Sequence, residues 1–108
     1  MTVKELCEKF EFEALVMPDP DREVTGGYAG DLLSWVMGRA ESGDAWVTIM
    51  SNINVIAVAT LADPSCVILS EGVAPDDGVI LRAEVSGVNL LMAKDDTFSV
   101  CAKIAKVI

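Results

Sequence analysis

The chain contains no histidine among its 108 residues. That absence excludes imidazole as general base, nucleophile activator or metal ligand. Cysteine is also scarce: Cys7, Cys66 and Cys101 are odd in number and far apart, and they form neither a CxxC pair nor a zinc ligand set. Reduced, buried thiols are the expectation, because free cysteine packs as a small hydrophobe. Basic residues are few, 8 Lys and Arg against 17 Asp and Glu, for a net charge of −9. Nucleic acid and anionic lipid both demand a cationic surface, so neither is an expected partner, and the acidity reads as a solubility device. Long apolar runs are missing too. The best of them, Val55 to Ala59 with Leu61 and Ala62, falls far short of the roughly 20 residues needed to cross a bilayer. The opening Met1-Thr2-Val3-Lys4-Glu5 has neither the basic start nor the apolar core of a secretory signal, so a cytoplasmic location is expected.

What the chain does have is core material. Hydrophobic residues make up 52% of it, which suits one domain over residues 1–108, folded without a metal or disulfide staple. Thr2 and Glu5 stand at capping-box spacing ahead of Leu6, Cys7 and Phe10, predicting a short first helix. Phe12 to Val16 reads as a strand ended by Pro18 and Pro20. A glycine-rich loop, Thr25 to Asp31, leads into a helix carrying Leu32, Leu33, Trp35, Val36, Met37 and Ala40, which closes at Ser42-Gly43. Ala45 to Met50 predicts a buried strand.

Asn52 to Ala62 is ambiguous, since its β-branched residues favour a strand while its alanines and Asn52 as cap permit a helix. Ser65 to Ser70 reads as the next buried parallel strand, and parallel strands need a crossover of a dozen or so residues, so a helix over Asn52 to Leu61 is chosen. Pro75 at a first helical position, with Asp76 and Asp77 behind it, predicts a fourth helix ending near Gly87. Val88 to Met92 gives a last strand, and Asp95 or Asp96 caps a terminal helix through Val107. This alternation predicts an α/β fold, a three-layer α/β/α sandwich around a mostly parallel sheet of about four strands.

Candidate chemistry centres on Thr25-Gly26-Gly27-Tyr28-Ala29-Gly30-Asp31, because glycines ahead of a helix let backbone amides approach an anion. The competing reading is a structural turn: no Lys and Ser/Thr pair completes a P-loop, and the spacing is not that of a dinucleotide fingerprint, so no nicotinamide cofactor is expected. Asn52 and Asn54 follow a predicted strand at its carboxyl end, where open α/β sheets hold ligands, although Asn52 as a helix cap is at least as good a reading. The acidic pairs Asp19 with Asp21, Asp76 with Asp77 and Asp95 with Asp96 could hold magnesium or share a proton, but capping accounts better for the last two. No catalytic residue, metal site or cofactor is expected.

The run Thr25-Gly26-Gly27-Tyr28-Ala29-Gly30-Asp31-Leu32-Leu33-Ser34, with Ala45-Trp46-Val47-Thr48-Ile49 and Asn54 ahead of Val55-Ile56-Ala57-Val58-Ala59, resembles the DRTGG domain. The five-residue motif that names the family falls on Glu23-Val24-Thr25-Gly26-Gly27, matching the threonine and both glycines, with Glu23 for the acid and Val24 where the arginine belongs. Losing that cation weakens any carry-over of phosphate recognition, and Arg22 beside it need not point the same way. The resemblance implies a fold similar to the N-terminal domain of HPr kinase/phosphorylase, a homodimer, and a regulatory rather than catalytic role such as the control by adenine nucleotides found in some inorganic pyrophosphatases. Sensing of a nucleotide or other small anion at Thr25, Gly26, Gly27, Tyr28, Asp31, Asn52 and Asn54 is the leading expectation. A structural or assembly subunit of a larger enzyme complex is the alternative, and a phosphate-transferring enzyme ranks last.

Overall fold

The computed structural model describes all residues from Met1 to Ile108. Ten elements alternate along the chain: α1 (Val3–Phe10), β1 (Glu13–Val16), β2 (Gly26–Ala29), α2 (Leu33–Arg39), β3 (Asp44–Thr48), α3 (Asn54–Ala62), β4 (Cys66–Leu69), α4 (Val79–Ser86), β5 (Leu90–Met92) and α5 (Thr97–Ala105). The strands form one sheet in the order β1-β5-β4-β3-β2, with β1 antiparallel to β5 and every other pairing parallel. The α/β/α sandwich is therefore present, and its sheet has five strands where about four are expected from the sequence.

Strands β2 to β5 are laid down side by side in one direction, and the three crossover helices α2, α3 and α4 share one core on the same face. After β5 the chain turns to the other face, where α5 runs beneath β2 and β3 and shares a core with α1. The period-2 alternation of the central strands divides their side chains between the two layers. Ala45, Val47, Cys66, Ile68 and Leu91 join α1 and α5, while Trp46, Val67, Leu69 and Leu90 join α2, α3 and α4. With both faces covered, β3 and β4 are buried along their whole length, Ala45 to Val47 and Cys66 to Leu69 as apolar runs.

The local signals behave as their chemistry dictates at α1 and α5. Thr2 and Glu5 close a reciprocal capping box, and the Asp96 carboxylate accepts from the Ser99 amide at 2.7 Å. Two boundaries differ from expectation. Helix α4 starts at Val79 rather than at Pro75, because Gly78 adopts a left-handed φ of +84° and Asp76 is tied to Ser51 outside the helix. The predicted glycine loop is in fact strand β2 across Gly26 to Ala29, paired with Asp44 to Val47 of β3. Low intrinsic strand propensity is overridden there by a neighbouring strand and by α5 packed against it.

Candidate functional site

The expected site residues fall at two opposite ends of the sheet. Thr25 and Gly26 lie at the amino end of β2, whereas Asp31, Asn52 and Asn54 lie beyond the carboxyl ends of β2 and β3, with Gly27 and Tyr28 within β2 between them. One small ligand cannot touch both groups.

At the amino end the glycines answer to sterics. A Cβ on Gly26 would stand 2.5 Å from Asp44 Oδ1, and one on Gly43, whose φ is +89°, would stand 2.2 Å from Thr25 Oγ1. Buried Asp44 accepts the Glu41 amide at 2.8 Å through its other oxygen, so its carboxylate closes the turn before β3. Because Gly26 to Ala29 is an extended strand, its amides alternate in direction, half of them toward β3, and do not converge as an anion-cradling loop requires. Val24, in the arginine position of the family motif, is buried in the core beneath α1. Arg22 does not replace it: its guanidinium grips Asp63 through two bonds of 3.1 Å, and the Ser42 hydroxyl donates to the same carboxylate at 2.6 Å. The guanidinium and hydroxyl together hold the Asp63 carboxyl below the usual range. Local sequence spacing carries no signal for this Arg22–Asp63–Ser42 cluster, since its members are 20 to 41 residues apart.

At the carboxyl end Asp31 does not cap α2. Its Oδ1 accepts from the Thr48 hydroxyl at 2.8 Å and the Ile49 amide at 2.9 Å, fastening the β2–α2 turn to the end of β3. The buried Trp46 indole donates to the Gly30 carbonyl at 2.9 Å in the same turn. Asn52 does not cap α3, whose N-cap position is Ile53 with no capping side chain; its Oδ1 accepts the Asn54 amide at 2.9 Å in an Asx turn just ahead of the helix. The Asn54 carboxamide itself makes no bond within the chain and is exposed. Further along the rim, Ser51 donates to Asp76 at 2.9 Å, and the Ser70 and Thr97 hydroxyls meet at 2.7 Å. Of the acidic pairs, Asp96 caps α5 and Asp95 pairs with Lys103. No buried side-chain polar atom is left without a partner.

Two grooves flank these elements. One, of about 290 Å³ and mostly apolar, runs between β2 and α5 past Gly27, Ala29, Ile104 and Ile108. The other, of about 330 Å³ and mixed in character, lies between α3 and α4 and includes Asn54. The thiols line neither in a reactive form: Cys7 and Cys66 are buried, burial pushes the Cys66 thiol up to about 12, and it also raises those of Cys7 and half-buried Cys101.

The model of the DRTGG domain family matches residues 30–107, beginning just past the Thr25-Gly26-Gly27 segment. The fold is similar, with a TM-score of 0.77 at 14% identity, to the CBS and DRTGG domains of the regulatory region of Clostridium perfringens pyrophosphatase, crystallised with its activator diadenosine tetraphosphate. That superposition covers 95% of this chain and 45% of the other, so the chain spans less than half the length of its structural neighbour. No curated protein sequence matches the chain.

Proposed function

The chain belongs to the DRTGG domain family, and from that premise we propose that it is a non-catalytic, cytoplasmic regulatory domain that senses a nucleotide or another anionic metabolite. The observation that carries the reading is the whole-chain similarity in fold to a regulatory region that binds a nucleotide activator. The polar groups of the carboxyl rim support it, because Asp31, Thr48, Ser51, Asp76, Ser70 and Thr97 are spent on hydrogen bonds that fasten turns to strands. Further support comes from Asn52 and Asn54, which follow β3 beyond its carboxyl end, the end at which open α/β sheets commonly receive ligands, with Gly27 and Tyr28 on the neighbouring edge strand.

The same reading includes a homodimer formed through β2. That strand is a sheet edge, and Thr25 to Gly30 carries no charge and no proline to discourage pairing. The opposite edge, β1, is protected by Glu13, by a bulge between Ala14 and Val16 and by Pro18.

Thermal unfolding against a panel of adenine and guanine nucleotides, dinucleoside polyphosphates and phosphorylated metabolites tests the sensor reading, because any ligand that favours the folded state raises its melting point. A saturable rise for one compound class is the expected result. A flat panel would sink it and favour the second reading, an assembly subunit of an enzyme complex. That alternative has its own support in the apolar outer face of α4, where Leu81 and Val85 are 66% and 77% exposed, and in Phe98, 85% exposed at the start of α5.

A further inference from the structure

Only three arginines occur in the chain, and two are engaged: Arg22 by Asp63, and Arg39 by the Trp35 ring, whose centroid lies 3.7 Å from the guanidinium carbon. The third, Arg82 on α4, makes no side-chain hydrogen bond or ion pair. It lines the groove of about 330 Å³ between α3 and α4, together with Ile53, Asn54, Ala57, Thr60 and Ser86. Asn54 and Ser86 likewise have no side-chain partner within the chain, and the Thr60 hydroxyl, which donates to the Ala57 carbonyl at 2.7 Å, keeps its lone pairs free to accept. The free donors are therefore Arg82, Asn54 and Ser86, on a cleft whose remaining lining, Ile53, Ile56 and Ala57, is apolar.

The electrostatic setting is equally specific. Acidic residues number 17, yet none lines this groove, and α3 carries no charged residue from Asn54 to Ala62. On a chain of net charge −9, a cleft with one free guanidinium and no carboxylate is a local inversion of sign. A planar guanidinium with its fork unoccupied suits a phosphate or carboxylate, and the amide and hydroxyl beside it supply further contacts to an anion. The apolar wall then receives the rest of the molecule. The volume sits at the small end of the range for small-molecule sites, which favours a ligand of mononucleotide size over a dinucleoside polyphosphate.

We propose that the α3–α4 groove is the ligand site, with Arg82 and Asn54 binding the phosphate of a phosphate monoester whose apolar or aromatic body lies against Ile53 and Ala57. This rests on the ligand-sensing reading above and gives it a location that the glycine-containing strand does not. The test is a titration of the isotope-labelled full chain with adenosine 5′-monophosphate, with inorganic phosphate and adenosine as comparison probes, followed by amide resonances. Saturable shifts confined to Ile53 to Thr60 and Arg82 to Ser86 are expected, with the monophosphate binding more tightly than either comparison probe. R82Q should weaken that binding about tenfold or more, the loss of a charge-assisted bidentate contact, and R39Q should bind as the unaltered chain does. Both positions are exposed, so neither variant is expected to change the melting point appreciably. Shifts centred elsewhere, an R82Q chain that binds with unchanged affinity, or no saturable response to the monophosphate or phosphate would overturn the proposal. If another compound raises the melting point while the groove stays silent, the groove assignment fails and the sensor reading stands. If nothing in the panel does so, both fail together.

Discussion

The Cα of Gly26 lies so close to the Asp44 carboxylate that any side chain at position 26 would begin 2.5 Å from Asp44 Oδ1. The two residues are register partners across β2 and β3, and Asp44 is fixed from its other side by the Glu41 amide. G26A must therefore push a buried, hydrogen-bonded carboxylate out of place, with a cost of about 1–3 kcal/mol typical of overpacking. Gly27 is the control, since its Cβ would meet nothing nearer than the Ala45 carbonyl oxygen at 3.7 Å. G27A should be neutral or stabilise by up to about 1 kcal/mol through the unfolded chain's lost freedom. Urea unfolding followed by tryptophan fluorescence checks both, and equal losses for the two variants would show that the adjacent glycines do not differ in this way.

Asp31 offers a second test, because its carboxylate serves β3 rather than α2. D31A removes the acceptor for the Thr48 hydroxyl and the Ile49 amide, and should cost about 1–2 kcal/mol. T48V in the D31A background should cost less than T48V alone, since the shared bond is already gone. A double-mutant cycle with no coupling between the two sites would contradict the geometry.

The sequence signals that worked were those whose partners are close along the chain. Thr2 with Glu5 and Asp96 with Ser99 are three residues apart, and the structure forms both caps. Topology settled α3, where propensity was divided: a parallel β3–β4 pair requires a crossover, and Asn54 to Ala62 provides it as a helix. Strand β2 resembles a loop in sequence because Gly26-Gly27-Tyr28-Ala29 has little strand propensity of its own, and what makes it a strand is β3 beside it and α5 beneath it. The helix starts at Val79 rather than Pro75 because, although Pro75 and the two aspartates mimic an N-terminus, the determinants are Gly78 and the bond from Ser51 to Asp76, 25 residues away. At the candidate site, Asn54 stood out through its place after a strand. Arg82 did not, because its interest depends on which acids lie near it in space, and spacing along α4 carries no such information.

Acid should weaken the tie between the β1–β2 connection and the end of α3. Arg22 and Ser42 depress the Asp63 pKa below its ordinary value of 3.8, so the folded state binds that proton less readily than the unfolded chain. A depressed carboxylate contributes stability that is full above the unfolded value and fades as pH falls through the folded one. D63N should therefore be less stable than the unaltered chain at pH 7, with the gap closing below about pH 4. The gap is a fraction of a kcal/mol, since the Asp63 side chain is 57% exposed and solvent screens the pair. Paired denaturation curves at pH 7 and pH 3 measure it, and a gap that widened in acid would reverse the assignment.

The thiols make a kinetic prediction. The Cys66 thiol, pushed up to about 12 by burial, and the raised, buried Cys7 are almost wholly protonated at pH 8. Since the thiolate is the reactive form, neither should be alkylated in the folded chain on the timescale of a free cysteine. Half-buried Cys101 should react first, though slowly, and all three should react at once in denaturant. Mass spectrometry of iodoacetamide-treated chain resolves the order, and early modification of Cys66 would mean that the α1–α5 core opens far more often than its packing implies.

The proposed self-association through β2 gives the last prediction. Ala29 lies on the edge strand at the lip of the groove that Ile104 and Ile108 line, and it is exposed. A second β2 laid against the first would extend the sheet and cover part of that apolar lining, whereas a lysine at the edge sets like charges against each other across the two-fold axis. A29K should therefore shift the chain from dimer to monomer in light scattering after gel filtration, and leave the melting point of the dissociated chain within a few degrees. E13K on the opposite edge should leave the assembly as it was, because β1 already ends in a bulge and a proline-rich turn. A dimer that survives A29K and dissociates with changes on α4 would move the interface to the apolar face of Leu81 and Val85, and a chain that is monomeric throughout would remove the dimer altogether.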